Sequence, residues 1–134
     1  MVGAELVGLS RAECLRRLAS HDVGRVVFTE RALPAAHPVT YLLDGEEIVF
    51  RTSATAKLAA ATLHNIVAFE VDDIDVEARA GWSVLGVGMA YEITDTDRLA
   101  GLVTRMPAPW AAVAAEGRVI GIPLQTLTGR ELTA

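Results

Sequence analysis

Side chains suited to binding an anion are concentrated between residues 51 and 57. Arg51, Thr52 and Ser53 end a short apolar run, and Lys57 opens an alanine-rich segment. A guanidinium can donate two parallel hydrogen bonds to a phosphate, and a helix start adds free N–H groups and a positive dipole end. This spacing predicts a phosphate site at a strand-to-helix junction. The same residues are equally consistent with a strand, a turn and a surface helix that carries two solvated cations.

Other common site chemistries have no motif in this sequence. The three histidines, His21, His37 and His64, do not have the spacing of metal ligands. Neither an HExxH nor a CxxC motif occurs. No GxSxG motif is present. The pair Gly86 and Gly88 lacks the third glycine of a dinucleotide fingerprint. We therefore expect no metal site and no nucleophilic hydrolysis, and we interpret the acidic run Asp72–Asp75 as a solvated turn.

Composition favours one folded domain spanning residues 1–134. The chain is 51% hydrophobic and 22% charged, which is typical of a protein with a real core. A net charge of −5 disfavours nucleic acid as a partner. A single cysteine, Cys14, excludes an internal disulfide and favours a reducing compartment. No apolar run is long enough to cross a membrane, so we expect a cytoplasmic protein without a membrane partner.

Periodicity predicts many short strands and few helices. Ser10 followed by Glu13 indicates a capping box and a helix over residues 10–20. Asp44-Gly45 indicates a hairpin turn. Further helices are predicted over residues 55–63 and 95–104, and strands over residues 23–29, 35–43, 47–52, 66–71, 81–94, 118–124 and 126–132. Such an order indicates a small antiparallel barrel.

The long strand predicted over residues 81–94 carries two features of interest. Trp82-Ser83 opens it, and a tryptophan there is usually packed in a core or an interface. The alternative is a planar wall, with an adjacent hydroxyl donor, placed against a flat polar ring. Gly86 and Gly88 lie inside the strand, which indicates a bulge or a close approach of backbone or ligand.

The order of these elements resembles the flavin-binding split-barrel proteins related to pyridoxamine 5′-phosphate oxidase. The resemblance covers nearly the whole chain. It rests on several short segments in order: Val23-Gly24-Arg25-Val26, His37-Pro38-Val39-Thr40-Tyr41 with Asp44-Gly45, Val49-Phe50-Arg51-Thr52 with Lys57-Leu58, Val67-Ala68-Phe69-Glu70-Val71-Asp72, and Gly81-Trp82-Ser83-Val84 with Gly88.

The resemblance implies a mainly β (α+β) fold, a six-stranded antiparallel Greek-key split barrel with a few short helices. It implies a homodimer that holds FMN at its two subunit interfaces. By position, the residues implied to hold the FMN phosphate are Arg51, Thr52, Ser53 and Lys57. Val39 and Thr40 are implied to line the isoalloxazine edge, and Trp82 and Ser83 to come from the second subunit.

Three functions remain open under this resemblance. The first is an FMN-dependent oxidoreductase acting on a small molecule, the second a flavin-binding carrier or sensor without turnover, and the third a reductase that uses the deazaflavin F420. The sequence shows no dedicated general acid or base, so we expect the flavin to supply the redox chemistry. The chain ends at Ala134 without the Arg- and His-bearing C-terminal segment of true pyridoxamine-phosphate oxidases, so oxidation of vitamin B6 is not expected.

Overall fold

The computed structural model describes residues 5–53, 57–109 and 117–133. Within this part of the chain there are nine strands: β1 Glu5–Leu9, β2 Val23–Glu30, β3 Leu33–Asp44, β4 Glu47–Thr52, β5 Ile66–Asp75, β6 Ala80–Met89, β7 Tyr91–Glu92, β8 Arg118–Pro123 and β9 Thr126–Thr133. Three helices accompany them: α1 Arg11–Ala19, α2 Lys57–Thr62 and α3 Thr96–Arg105. None of these helices is long and apolar enough to cross a bilayer.

The strands form an antiparallel split barrel, as the resemblance implied. Neighbouring strands follow the order β1-β9-β6-β5-β2-β3-β4-β8-β7. Since β8 runs into β9 through the corner at Leu124 and Gln125, the two halves of this order meet and close a ring. Six barrel strands result when β8 and β9 count as one bent strand, while β1 and β7 are short additions at the edges. The fold class expected from the sequence is confirmed.

Close approach at the closing corner explains the glycines of β6. A Cβ atom built on Gly86 would lie 2.3 Å from Leu124 Cδ2, and Gly88 faces the backbone of Pro123. Only residues without a side chain let β6 come this close to the β8–β9 corner. The close-approach interpretation of these glycines is therefore confirmed.

Strand alternation fills the barrel interior with large apolar side chains. The most completely buried ones include Tyr41, Phe50, Phe69, Ile48 and Ile120. A smaller cluster lies between β4, β8 and α3, where Val49, Val119, Ile93 and Leu102 pack together. Burial of this kind stabilises a fold by roughly 25 cal/mol per Å² of apolar surface.

Capping residues fix where the two longer helices, α1 and α3, begin. Ser10 caps α1 by accepting from the Glu13 amide at 3.2 Å, and Glu13 in turn accepts from the Ser10 amide at 3.2 Å. This is the predicted capping box. Asp95 caps α3, and Arg98 and Arg105 hold that helix to Asp44 at 3.2 Å and 3.0 Å. These arginines keep the pKa of the Asp44 carboxyl below its usual value, mainly through the Arg105 hydrogen bond.

Several local predictions were wrong or incomplete. The acidic run is strand rather than turn, because Asp72 to Asp75 continue pairing with β6, and the turn falls at residues 76–79. The strand predicted over residues 81–94 breaks at Ala90. The hairpin loop consists of Gly45 and Glu46, since Asp44 pairs with Glu47. Strand β1 was not predicted, and residues 55 and 56 of the predicted helix 55–63 lie outside the described residues.

Candidate functional site

Arg51 and Thr40 lie on the outer face of strands β3 and β4. The β3–β4 ladder ends with the pair Tyr41 and Phe50, whose side chains are fully buried. Thr40 and Arg51 are the next residues outward, so alternation turns both side chains away from the core. Lys57, at the first described position of α2, is exposed. The guanidinium of Arg51 on β4 and the hydroxyl of Thr40 on β3 therefore lie on the same outer face.

No described carboxylate neutralises the charge of Arg51 or Lys57. Six arginines form ion pairs with carboxylates: Arg11, Arg17, Arg25, Arg98, Arg105 and Arg118. Neither Arg51 nor Lys57 forms an ion pair with any described residue. Such cations suit an anionic group that arrives from outside. We name Arg51 and Lys57 the phosphate cluster, after the phosphate site that the sequence predicts.

Thr52 and Ser53 differ from Arg51 in how they are placed. Alternation along β4 sends the Thr52 side chain inward beside Phe50, where it is only 3% exposed. Its hydroxyl donates to the Ser53 carbonyl oxygen at 3.2 Å. Ser53 is half-buried and directly follows β4. The Thr52 hydroxyl would have to rotate outward to contact a phosphate on the surface. The phosphate-binding role predicted for Thr52 and Ser53 stays a prediction.

Val39 and Trp82 are interior residues. Val39 is 8% exposed and belongs to the main core. Trp82 is also 8% exposed, with the ring of His21 edge-on at 5.0 Å between centroids and the Arg17 guanidinium 5.5 Å from its ring centroid. This environment within one chain favours packing over a planar wall for Trp82. The roles in cofactor binding that the resemblance implied for Val39 and Trp82 stay predictions.

Ser83 and Arg51 lie beside different halves of the bent β8–β9 strand within one chain. Arg51 pairs with Val119 of β8, whereas Ser83 pairs with Arg130 of β9, and the corner at Leu124 and Gln125 lies between these two positions.

Ser83 opens onto a groove on the outer face of β5, β6 and β9. The groove has a volume of about 470 Å³ and is lined by Glu70, Ser83, Val84, Leu85, Thr128, Gly129 and Arg130. We call it the outer groove. Its size falls within the range of roughly 300–1,000 Å³ that is common for small-molecule pockets.

Glu70 is the unusual group of the outer groove. Its Oε1 atom is buried without a hydrogen bond to any described residue, and the nearest cation, Arg25 Nη1, is 3.6 Å away. Burial raises the pKa of Glu70 to about 7, and the neighbouring Asp72 carboxyl adds to the rise while Arg25 opposes it. In the sequence, Glu70 is predicted only as a strand residue. A glutamate between the apolar residues of Val67–Val71 was the available signal.

No three His, Cys, Asp or Glu side chains among the described residues are placed to hold a metal ion. Cys14, the one thiol of the chain, is fully buried against β9, where a Cβ atom on Gly129 would lie 2.6 Å from its sulfur. Burial raises the pKa of the Cys14 thiol. The described side chains therefore offer anion-binding groups and a protonatable carboxyl.

Comparison with known proteins links this architecture to a family. Residues 10–131 match the family model described as pyridoxamine 5′-phosphate oxidase. The uncharacterized protein Rv0080 of Mycobacterium tuberculosis is 40% identical over 135 residues, which cover 97% of this chain and 88% of that protein.

Two solved structures have the same fold at similar identity. An FAD binding protein from Mycobacterium smegmatis superposes with a TM-score of 0.79 at 31% identity, covering 95% of this chain and 98% of that one. A Corynebacterium glutamicum protein, provisionally named a pyridoxamine 5′-phosphate oxidase, superposes with a TM-score of 0.84 at 29% identity, covering 97% of this chain and 100% of that one.

Proposed function

Because the chain belongs to the pyridoxamine 5′-phosphate oxidase family, we propose that it binds a flavin and acts through it as an oxidoreductase on a small molecule. The observation that carries this proposal is the phosphate cluster. Arg51 and Lys57 stand at the end of β4 and the start of α2 without a carboxylate partner among the described residues. A guanidinium and an ammonium are the groups that bind a nucleotide phosphate.

We further propose that the flavin site is completed by a second copy of the chain. We expect a flavin that contacts both Arg51 and Ser83 to need two copies, since the two residues lie beside different halves of the bent β8–β9 strand in one chain. Apolar side chains beside the outer groove support the same conclusion. Ile66 and Met89 pair across β5 and β6 and are 57% and 48% exposed, and Leu85 on the same face is also exposed. Homodimer interfaces bury such surfaces.

FMN is the cofactor that we propose, because its single phosphate monoester suits a site with two cations, Arg51 and Lys57. FAD is the second candidate, since the Mycobacterium smegmatis protein with 31% identity is named for binding FAD. F420 remains a third, because it also carries phosphate. The phosphate cluster is compatible with all three cofactors, and the mass of the bound molecule distinguishes them.

A bound flavin would supply hydride or electron transfer. In this scheme Arg51 and Lys57 bind the phosphate, Thr40 and the backbone of Val39 border the ring, and Ser83 of the second copy donates to its polar edge. We assign no general acid or base to these residues, so pocket shape would determine which substrate reacts. If the flavin is not reduced by any donor, the protein is a flavin carrier or sensor.

The experiment that tests the proposal is an absorption spectrum and a mass measurement on the small molecule that copurifies with the protein. We expect a flavin spectrum and the mass of FMN. Bleaching by a reduced nicotinamide, followed by reoxidation with an added acceptor, would support turnover over the carrier function. A protein that neither copurifies with nor takes up FMN, FAD or F420 would contradict the proposal.

A further inference from the structure

The C-terminal end of α1 is joined to β5 and β6 through His21. The Nε2 atom of His21 is 3.2 Å from Asp73 Oδ2, and its Nδ1 atom is 2.9 Å from the hydroxyl oxygen of Ser20. The imidazole also packs against the Trp82 ring, with 5.0 Å between the ring centroids and an interplanar angle of 84°. One side chain therefore connects the end of a helix, the neighbouring strand and a buried indole.

The partners of the two ring nitrogens require a hydrogen on each nitrogen. The Ser20 hydroxyl donates its only hydrogen to the carbonyl oxygen of Arg17 at 2.7 Å, so its oxygen can only accept from His21. The Asp73 carboxylate likewise only accepts. A neutral imidazole has a single N–H group and cannot donate to both partners. The observed arrangement is therefore that of the protonated, positively charged ring.

The charges around His21 suit a cation at this position. They come from four parts of the chain: Arg17 of α1, the adjacent Asp22, Asp73 of β5 and Glu131 of β9. Arg17 is the one other cation of the group, and Glu131 pairs with it at 2.8 Å and so offsets its charge. His21 also directly follows the capped end of α1, where the helix dipole favours a positive charge.

We propose that His21 is a pH-sensitive latch, which in its protonated form joins the end of α1 to Asp73 of β5 and packs against Trp82. Loss of the proton leaves one ring nitrogen without a hydrogen. Either the Asp73 contact is then lost, or the Ser20 hydroxyl must leave the Arg17 carbonyl and donate to Nδ1. Histidine is the side chain that changes charge between pH 5 and pH 8. The latch therefore loosens as the pH rises through that range.

The consequence of the latch for function rests on the proposed flavin site. Ser83 directly follows Trp82 in β6, and Asp73 pairs with Trp82 in the β5–β6 ladder. A movement of His21 therefore acts beside the residue that we place against the flavin of the second copy. The latch itself stands without a flavin, because all of its contacts lie within one chain.

The test is nuclear magnetic resonance of the purified protein with whatever cofactor it carries. The nuclear Overhauser effect between the ring protons of His21 and Trp82 measures their contact, and the nitrogen signals of the imidazole follow its protonation. We expect this effect to fall about twofold or more from pH 5 to pH 8, the range in which histidine changes charge. An equal effect at both pH values would overturn the proposal, whether or not His21 changes its protonation.

Two variants separate the latch from general effects of pH. D73N keeps the shape of the side chain without its charge, so the contact between His21 and Trp82 should become nearly independent of pH. H64N is the control, because His64 is exposed outside the latch and asparagine tolerates its positive φ of 63°. It should keep the pH response of the parent. A full response in D73N, or a response lost in H64N, would contradict the latch.

Discussion

Gly88 of β6 lies directly against the carbonyl oxygen of Pro123, so closely that a Cβ atom on Gly88 would be 1.8 Å from that oxygen. The contact joins a strand of one half of the barrel to the corner where β8 becomes β9. Backbone meets backbone here, so no flexible side chain can move aside. The identity of one residue thus limits how tightly the barrel closes.

Replacing Gly88 with Ala should therefore destabilise the protein by about 1–3 kcal/mol or more, the usual cost of overpacking. Urea denaturation followed by circular dichroism measures the change. Gly101→Ala is the matched control, because Gly101 lies in α3 with open space around its Cα. Alanine should stabilise that helix by up to about 1 kcal/mol. Equal stability of Gly88→Ala and the parent would contradict the closing role of Gly88.

Replacing Arg51 with Ala should weaken FMN binding by about 1.5–3 kcal/mol, the scale of a hydrogen bond to a charged group. The reason is the loss of a guanidinium that has no carboxylate partner among the described residues. Calorimetric titration of the flavin-free protein measures the affinity. Arg16→Ala controls for net charge, since Arg16 is exposed on α1. Unchanged affinity in Arg51→Ala would falsify the assignment of the phosphate site.

A charge placed on the apolar face beside the outer groove should break the proposed homodimer. Met89→Asp introduces a carboxylate opposite Ile66, and we expect light scattering to find a monomer that has lost most of its flavin. Val103→Asp is the control, because Val103 is 51% exposed on α3, a helix that packs over β4 and β8 rather than over β5 and β6. If both variants stay dimeric, the partner does not cover this face. A monomeric parent protein with full flavin content would refute the dimer altogether.

The raised pKa of Glu70 predicts how stability depends on pH. Because the folded carboxyl binds its proton more tightly than the unfolded one, the stability due to this group is fully present at low pH. It declines as the pH rises from 4.5, the ordinary value, to about 7. E70Q does not titrate, so its stability relative to the parent should increase over that range. Urea denaturation at several pH values measures this difference, and a constant difference would show that burial of Glu70 does not shift its pKa.

The sequence alone determined the features that depend on neighbours within a few residues. Ser10 and Glu13 are three positions apart, so their reciprocal hydrogen bonds could be expected before any tertiary contact was known. Alternation predicted strands β2, β4, β8 and β9 nearly to their ends. The resemblance carried by the order of short segments implied the split barrel. The capping box and the strands follow from local geometry and residue chemistry.

Only the tertiary structure decided how distant residues combine. Asp72 to Asp75 form a strand because β6 offers them a full ladder, which outweighs the low β propensity of aspartate. Trp82 packs against Arg17 of α1 and against His21, which follows that helix, and both are remote from Trp82 in sequence. Glu70 acquires its raised pKa from burial between strands that are remote in sequence. The separation of Arg51 from Ser83 likewise follows from the closure of the barrel, because non-local strand pairing, and no local pattern, fixes where each side chain lies.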